Sequence, residues 1–305
     1  MAEHIPPFDL TRISLSTGVE LDVAQAGAED ARPLILLHGF PESHRTWRHQ
    51  IVHFAKTHRV IAPDQRGYRG SSKPQEVEAY TPDKLVGDVF LLADALGVDT
   101  FTVVGHDWGG AIAWGVAYAG MMNGRVTRAI IANAPHPVLF PKLLYTNREQ
   151  REASQYFRDF RDPANDALVR EHGLGALLVK VFGGGLTTTM EPEEQAALLE
   201  EWSSPDAAIG MLNYYRASPM EVLPMDAPFA LPEGYQPVPL PKLTIPTLVI
   251  WAMEDQALPP ANLDGLDEVI ENPEVVQVPE CGHFVQWEKP DAFNAAADAF
   301  LAKTG

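Results

Sequence analysis

One short segment limits the folds open to this chain more than any other. Phe101-Thr102-Val103-Val104 is a short apolar run of strand character. Gly109-Gly110-Ala111-Ile112-Ala113-Trp114-Gly115-Val116-Ala117 has the small residues of a closely packed helix start. Between them stands Gly105-His106-Asp107-Trp108-Gly109. A strand, a tight turn and a helix in immediate succession hold the central side chain exposed above a sheet. The flanking glycines permit the strained backbone that such a turn needs. The side chain so displayed is a carboxylate, Asp107.

The rest of the chain supplies a sheet for this turn to sit on. Arg12 to Leu15 and Glu20 to Ala24 read as an opening hairpin around Thr17-Gly18. Leu34-Ile35-Leu36-Leu37 and Val60-Ile61-Ala62-Pro63 are continuous apolar runs, as strands buried on both faces require. Pro82 to Leu96 has helical spacing, with Leu85, Val89, Leu92 and Leu96 on one face. Arg128 to Ala132 is a further strand. This alternation predicts an α/β fold, a mostly parallel sheet with helices on both faces.

The alternation stops at Asn133-Ala134-Pro135-His136-Pro137. Helices are predicted at Glu149 to Phe160, Asp166 to His172, Glu191 to Trp202 and Asp206 to Ala217. From Pro219 to Pro246 the chain carries eight prolines and reads as a stiff return loop. Strands resume at Thr247 to Trp251 and Val275 to Val278, and a helix from Pro290 to Leu301 closes the chain. The expected organisation is a core at 1–136, a helical cap at 137–240, and the rest of the core at 241–305.

Composition removes several function classes. The net charge of −18 argues against a basic nucleic-acid-binding surface and against an anionic membrane surface. No apolar run approaches the ~20 residues that span a bilayer. Residues 1–7 lack a basic segment followed by an apolar one, so a cytoplasmic protein is expected. Cys281 is the single cysteine, which excludes an internal disulfide and a multi-cysteine metal site. It reads as a small core or loop residue. Gly183-Gly184-Gly185 lacks the Lys-Ser/Thr of a phosphate loop and reads as a mobile cap turn. No pattern calls for a metal, nucleotide or other cofactor, and a monomer or homodimer is expected.

The chemistry rests on where three residues fall. Asp107 follows one strand, Asp255 follows the Thr247–Ala252 run, and His283 follows the Val275–Val278 run. Open α/β sheets gather their chemistry at the carboxyl ends of strands. A serine at the turn would form an acyl-enzyme. A carboxylate instead suits displacement at an sp³ carbon, giving an alkyl ester that water must cleave. His283 can accept a proton from that water. Asp255 or the adjacent Glu254 would orient the imidazole.

Taken together these segments resemble the epoxide hydrolase branch of the α/β-hydrolase family over nearly the whole chain. The resemblance rests on His38-Gly39-Phe40-Pro41, Asp64-Gln65-Arg66-Gly67-Tyr68, Gly105-His106-Asp107-Trp108-Gly109-Gly110, Trp251-Ala252-Met253-Glu254-Asp255 and Gly282-His283-Phe284. It implies a triad in the order Asp107, Asp255, His283, with Asp255 matching the acid position. It also implies an oxyanion hole from the backbone N–H groups of Phe40 and Trp108. Phe40, Trp108 and Phe284 are expected to line the substrate pocket, and His38 to stabilise its turn.

The branch uses two cap tyrosines to hold the epoxide oxygen and protonate the alkoxide. Tyr156, in Gln155-Tyr156-Phe157, and Tyr215, in Asn213-Tyr214-Tyr215-Arg216, resemble that pair. Tyr214 then reads as packing. The implied reaction converts a small-molecule epoxide to a vicinal diol, in detoxification or in a biosynthetic step. The alternative is a haloalkane or haloacetate dehalogenase with the same triad, since halide leaves without a proton. A ligand-binding protein on a hydrolase fold is a further alternative that the complete triad disfavours. Phe182, Leu186, Met190 and Met211 are candidate apolar pocket residues, or cap core.

Overall fold

In a computed structural model of the chain, residues 8–184 and 190–303 are described. Gly185 and Leu186, read above as cap turn and pocket wall, lie outside the described residues, as do residues 1–7. Eight strands form one sheet: β1 (Leu10–Ser14), β2 (Glu20–Ala26), β3 (Pro33–Leu37), β4 (Arg59–Pro63), β5 (Phe101–His106), β6 (Val126–Ala132), β7 (Thr247–Ala252) and β8 (Glu274–Val278). Their order is β1-β2-β4-β3-β5-β6-β7-β8. The β1–β2 hairpin is antiparallel, and β2 joins β4 antiparallel; every later pairing is parallel.

The apolar strand runs work because both faces of the sheet are covered. Successive side chains point to opposite faces. Ile35, Leu37, Val103, Ile131 and Val249 join the core on one face. Leu34, Leu36, Val104, Ile130 and Leu248 join that on the other, with Trp47, Phe293 and Phe300 from the helices there. Because β3 to β8 are parallel, the ends of β3, β5, β6, β7 and β8 reach one edge of the sheet. The residues that follow them converge there.

Between β6 and β7 the described residues hold helices and no strand. The predicted helix over 149–160 is two helices, Arg148–Ala153 and Tyr156–Arg161. The break turns the chain so that Tyr156 opens the second helix. The helix predicted to end at His172 continues as Asp166–Phe182 through a kink at Gly173, whose φ is 76°. A side chain at Gly173 would meet the Trp202 carbonyl at 2.7 Å, so glycine serves both the kink and the contact. A helix at Leu139–Thr146 was not anticipated.

The proline-rich return is irregular, as expected, and needs partners for carbonyls that no ladder satisfies. Buried Arg151 supplies them, donating to Ala227 O at 2.9 Å and Pro228 O at 3.0 Å. Its guanidinium also lies 3.9 Å from the centre of the Phe229 ring. Among the described residues no helix is long and apolar enough to cross a membrane.

Candidate active site

Asp107 opens the helix Asp107–Asn123 with φ of 51°, a left-handed conformation uncommon outside glycine that aspartate tolerates better than most residues. Neighbouring glycines make the turn possible by removing atoms. A Cβ at Gly109 would lie 2.1 Å from Leu37 O, and one at Gly110 would lie 2.3 Å from the Ala134 Cβ. A Cβ at Gly39 would lie 2.5 Å from the Asp107 Cβ. The elbow is thus pressed against the end of β3, and Phe40 N–H donates to Asp107 Oδ1 at 2.7 Å. Trp108 is the second residue of the helix, so its N–H has no partner within it.

His38 holds the Phe40 loop in place. Its Nδ1 lies 3.0 Å from Gly39 O, and its Nε2 accepts from Gln65 N at 3.0 Å. The carbonyl can only accept, which assigns the proton to Nδ1. Burial pushes the His38 pKa down and keeps the ring neutral in this role.

The structure brings together the three residues that the sequence spreads over 107, 255 and 283. His283 Nδ1 lies 2.7 Å from Asp255 Oδ2, and its Nε2 lies 3.6 Å from Asp107 Oδ2. Asp255 is buried and takes the imidazole, whereas Glu254 points to the exposed rim. Asp255 is held by its own loop: Oδ1 accepts from Ala257 N at 2.8 Å and Leu258 N at 3.0 Å.

Asn133 was missed as a site residue. It sits directly after β6 with φ of 39°, fully buried, and donates to Asp255 Oδ2 at 2.7 Å while accepting from Ala252 N at 2.9 Å. Its signal was an asparagine at the end of a strand, a residue that tolerates the left-handed region. His106, also without an assigned role, is buried beneath His283. Its Nε2 lies 2.9 Å from His283 O, and Glu42 Oε2 is 3.3 Å from its Nδ1.

Charge sets the protonation of the pair. Burial opposes ionisation of Asp107, but the hydrogen bond and charge of His283, with His106 and Phe40 N–H, bring its carboxyl below the ordinary range. Burial likewise opposes charge on His283, yet Asp255 and Asp107 together hold it well above 6.5. Both shifts favour an imidazolium paired with the Asp107 carboxylate.

A cavity of about 520 Å³ opens over Asp107 and His283, with Phe40, Tyr156, Phe182 and Tyr215 among its walls and Phe284 and Trp287 on the histidine side. The Tyr156 and Tyr215 ring centres are 5.9 Å apart. Burial raises both phenols well above 10, with the Asp107 charge adding to the rise, so both stay protonated. Tyr214 is packing: it is buried and donates to Arg66 O at 2.7 Å.

Trp108, expected at the pocket, packs its indole edge-on against the wall residue Tyr215, with ring centres 5.0 Å apart. Met211 is fully buried in the core. Met190 borders a small cleft beside Arg45 and Glu194. Cys281 is buried with its thiol pushed up to about 12 by burial, which makes it inert. Among the described residues no cluster of three or more His, Cys, Asp or Glu is placed to hold a metal ion.

Known proteins match most of this chain. The pattern of the α/β-hydrolase fold family matches residues 32–290. A solved epoxide hydrolase of the α/β-hydrolase superfamily from metagenomes of hot environments is 66% identical. It superposes with a TM-score of 0.95 over 97% of this chain and 99% of that one. A mutant epoxide hydrolase from Bacillus megaterium, solved with its product (R)-3-[1]naphthyloxy-propane-1,2-diol, is 31% identical. Its TM-score is 0.84 over 96% of this chain and 100% of that one. Epoxide hydrolase 4 of Mus musculus is 30% identical over 97% of this chain and 82% of its own length. The AB hydrolase superfamily protein YfhM of Bacillus subtilis is 32% identical over 92% of this chain and 93% of its own length. The chain belongs to the α/β-hydrolase family and, within it, to the epoxide hydrolases.

Proposed function

We propose that this enzyme opens an epoxide through an alkyl ester on Asp107 and then hydrolyses that ester with water activated by His283. The observation that carries the reading is one cavity shared by Asp107, His283, Tyr156 and Tyr215. Phe40 N–H occupies Oδ1, which leaves Oδ2 as the freer oxygen for in-line attack on an epoxide carbon. Tyr156 and Tyr215 hydrogen-bond the ring oxygen and protonate it as the C–O bond breaks. An alkoxide is more basic than even a raised phenol, so the transfer runs downhill.

Once the ester forms, Asp107 carries no charge and His283 loses one of the two carboxylates that hold its proton. Its pKa falls and its Nε2 proton leaves, balancing the proton that restores the phenol, and the neutral imidazole then takes a proton from water attacking the ester carbonyl. Phe40 N–H and Trp108 N–H stabilise the oxyanion. Asp255 keeps the proton on Nδ1 and balances the imidazolium. Residues 137–240 act as the cap that supplies the tyrosines, with the core on either side.

Aromatic walls, two acids besides Asp107 (Glu254 and Glu288) and no lysine or arginine among the described wall residues favour a neutral epoxide with an apolar substituent. The test is a panel of aryl and alkyl epoxides, haloalkanes and haloacetates, with diol and halide measured together. Diol without halide is expected, and a single turnover in H₂¹⁸O should leave ¹⁶O from Asp107 in the first diol formed. Halide without diol, or ¹⁸O in that first diol, would sink the reading. Tyr156→Phe combined with Tyr215→Phe should remove epoxide opening; a double variant at wild-type rate contradicts the assigned acids.

A further inference from the structure

His283 has to keep its place through two steps, with Asp255 at Nδ1 throughout and the Asp107 carboxylate facing Nε2 only until the ester forms. The backbone beneath it does the rest. β8 ends at Val278, and His283 lies on the loop before the short helix Val285–Glu288. The last residue of that helix turns its carboxylate back onto the loop. Glu288 Oε2 accepts from Gly282 N at 2.8 Å, and Oε1 accepts from Phe284 N at 3.0 Å. These are the two amides on either side of His283. One carboxylate therefore bridges the catalytic residue, while His106 holds the His283 carbonyl from the other side at 2.9 Å.

The glycine before His283 fits the same device. A Cβ on Gly282 would lie 3.0 Å from each Glu288 carboxylate oxygen, closer than carbon normally approaches them. Charge-assisted bonds to two amides also resist rotation of the loop better than one neutral contact does.

We propose that Glu288 is a positioning residue for the hydrolytic step: its carboxylate sets the height and angle of His283 over the Asp107 ester. The inference rests on the proposed two-step reaction. Ring opening uses Asp107, Tyr156 and Tyr215, which sit on the elbow and on the cap helices and make no hydrogen bond to Glu288. Ester hydrolysis uses His283, whose backbone Glu288 grips. Loss of the clamp separates the two steps.

The test is single-turnover kinetics of the full-length enzyme with phenyl glycidyl ether, following alkylation by rapid quench and mass spectrometry of the Asp107 peptide, and hydrolysis by diol release. Wild type, Glu288→Gln and Glu288→Ala are compared as the ratio of hydrolysis to alkylation rate constants. The ratio should fall by about tenfold or more in Glu288→Ala, with the ester accumulating at steady state. Glu288→Gln keeps one acceptor oxygen at nearly the same shape and should fall between the other two. An unchanged ratio in both variants, even with both rates lowered together, overturns the inference. If Glu288→Ala does not fold, the ratio in Glu288→Gln decides alone. His283→Gln serves as the control. If it traps the ester while the Glu288 variants keep the wild-type ratio, only the clamp fails. If neither it nor the wild type forms an ester, the two-step reaction itself fails.

Discussion

Neutralising Asp107 without changing its shape tests whether charge times the two halves of the reaction. His283 stands between Asp255, 2.7 Å from Nδ1, and Asp107, 3.6 Å from Nε2. The two charges together hold its proton well above the ordinary pKa, against the opposing effect of burial. In the proposed reaction alkylation turns Asp107 into an ester and removes one charge; Asp107→Asn imitates that state. At the observed 3.6 Å, with an effective dielectric of about 20, one unit pair is worth about 5 kcal/mol. Even half of this lowers the proton affinity of His283 about fiftyfold. The assay is the His283 Cε1–H NMR resonance followed against pH in the wild type and in Asp107→Asn, with His283→Gln for assignment. The midpoint should drop by more than about one pH unit in the variant. A midpoint that does not move would show that Asp255 alone sets the proton, and that ester formation cannot switch His283 into a base.

Three other outcomes follow from the same geometry. Asn133→Ala strips a donor from Asp255 and leaves the Ala252 N–H buried without its acceptor, so urea denaturation should show a loss of about 2–4 kcal/mol along with slowed turnover; unchanged stability contradicts the bridge. Glu201 is pushed up to about 7 by burial, opposed by Arg69 at 2.7 Å, and raised further by Asp64. Its folded state keeps a proton that the unfolded chain releases, so stability should fall by roughly 3 kcal/mol as pH rises from about 4.5 to about 7 and then level off. Glu201→Gln should flatten that slope in pH-resolved melting, and an identical slope in the variant rejects the assignment. Gly109→Ala forces a methyl to within 2.1 Å of Leu37 O and should cost at least about 3 kcal/mol; a melting temperature within about 2 °C of wild type would show that the elbow has slack.

Much of the architecture is local and was therefore legible. Strands such as Leu34–Leu37 and Thr247–Trp251 announce themselves because a sheet covered on both faces demands unbroken apolar runs, and the structure divides their side chains between the two cores. The elbow was legible because its strand, glycines and helix start lie together in the chain, although the atoms those glycines make room for, Leu37 O and the Ala134 Cβ, come from distant segments. What misled was also local. Gly173 reads as a helix end, yet packing against Trp202 lets the helix resume beyond it. At Met211 pocket and cap core are both open from the sequence, and only the packing puts it in the core.

The candidate residues Asp107, Asp255 and His283, their order along the chain and their places after strands could all be read from the sequence. Tertiary structure alone decided the rest. Asp255 rather than Glu254 takes the histidine because only one of two adjacent side chains can point inward from the β7 loop. Asn133 and Glu288 meet the triad through hydrogen bonds whose partners become neighbours only when parallel strands bring their ends to one edge. Backbone preference acts over a turn or two of chain, whereas these contacts depend on the folding of distant segments against one another.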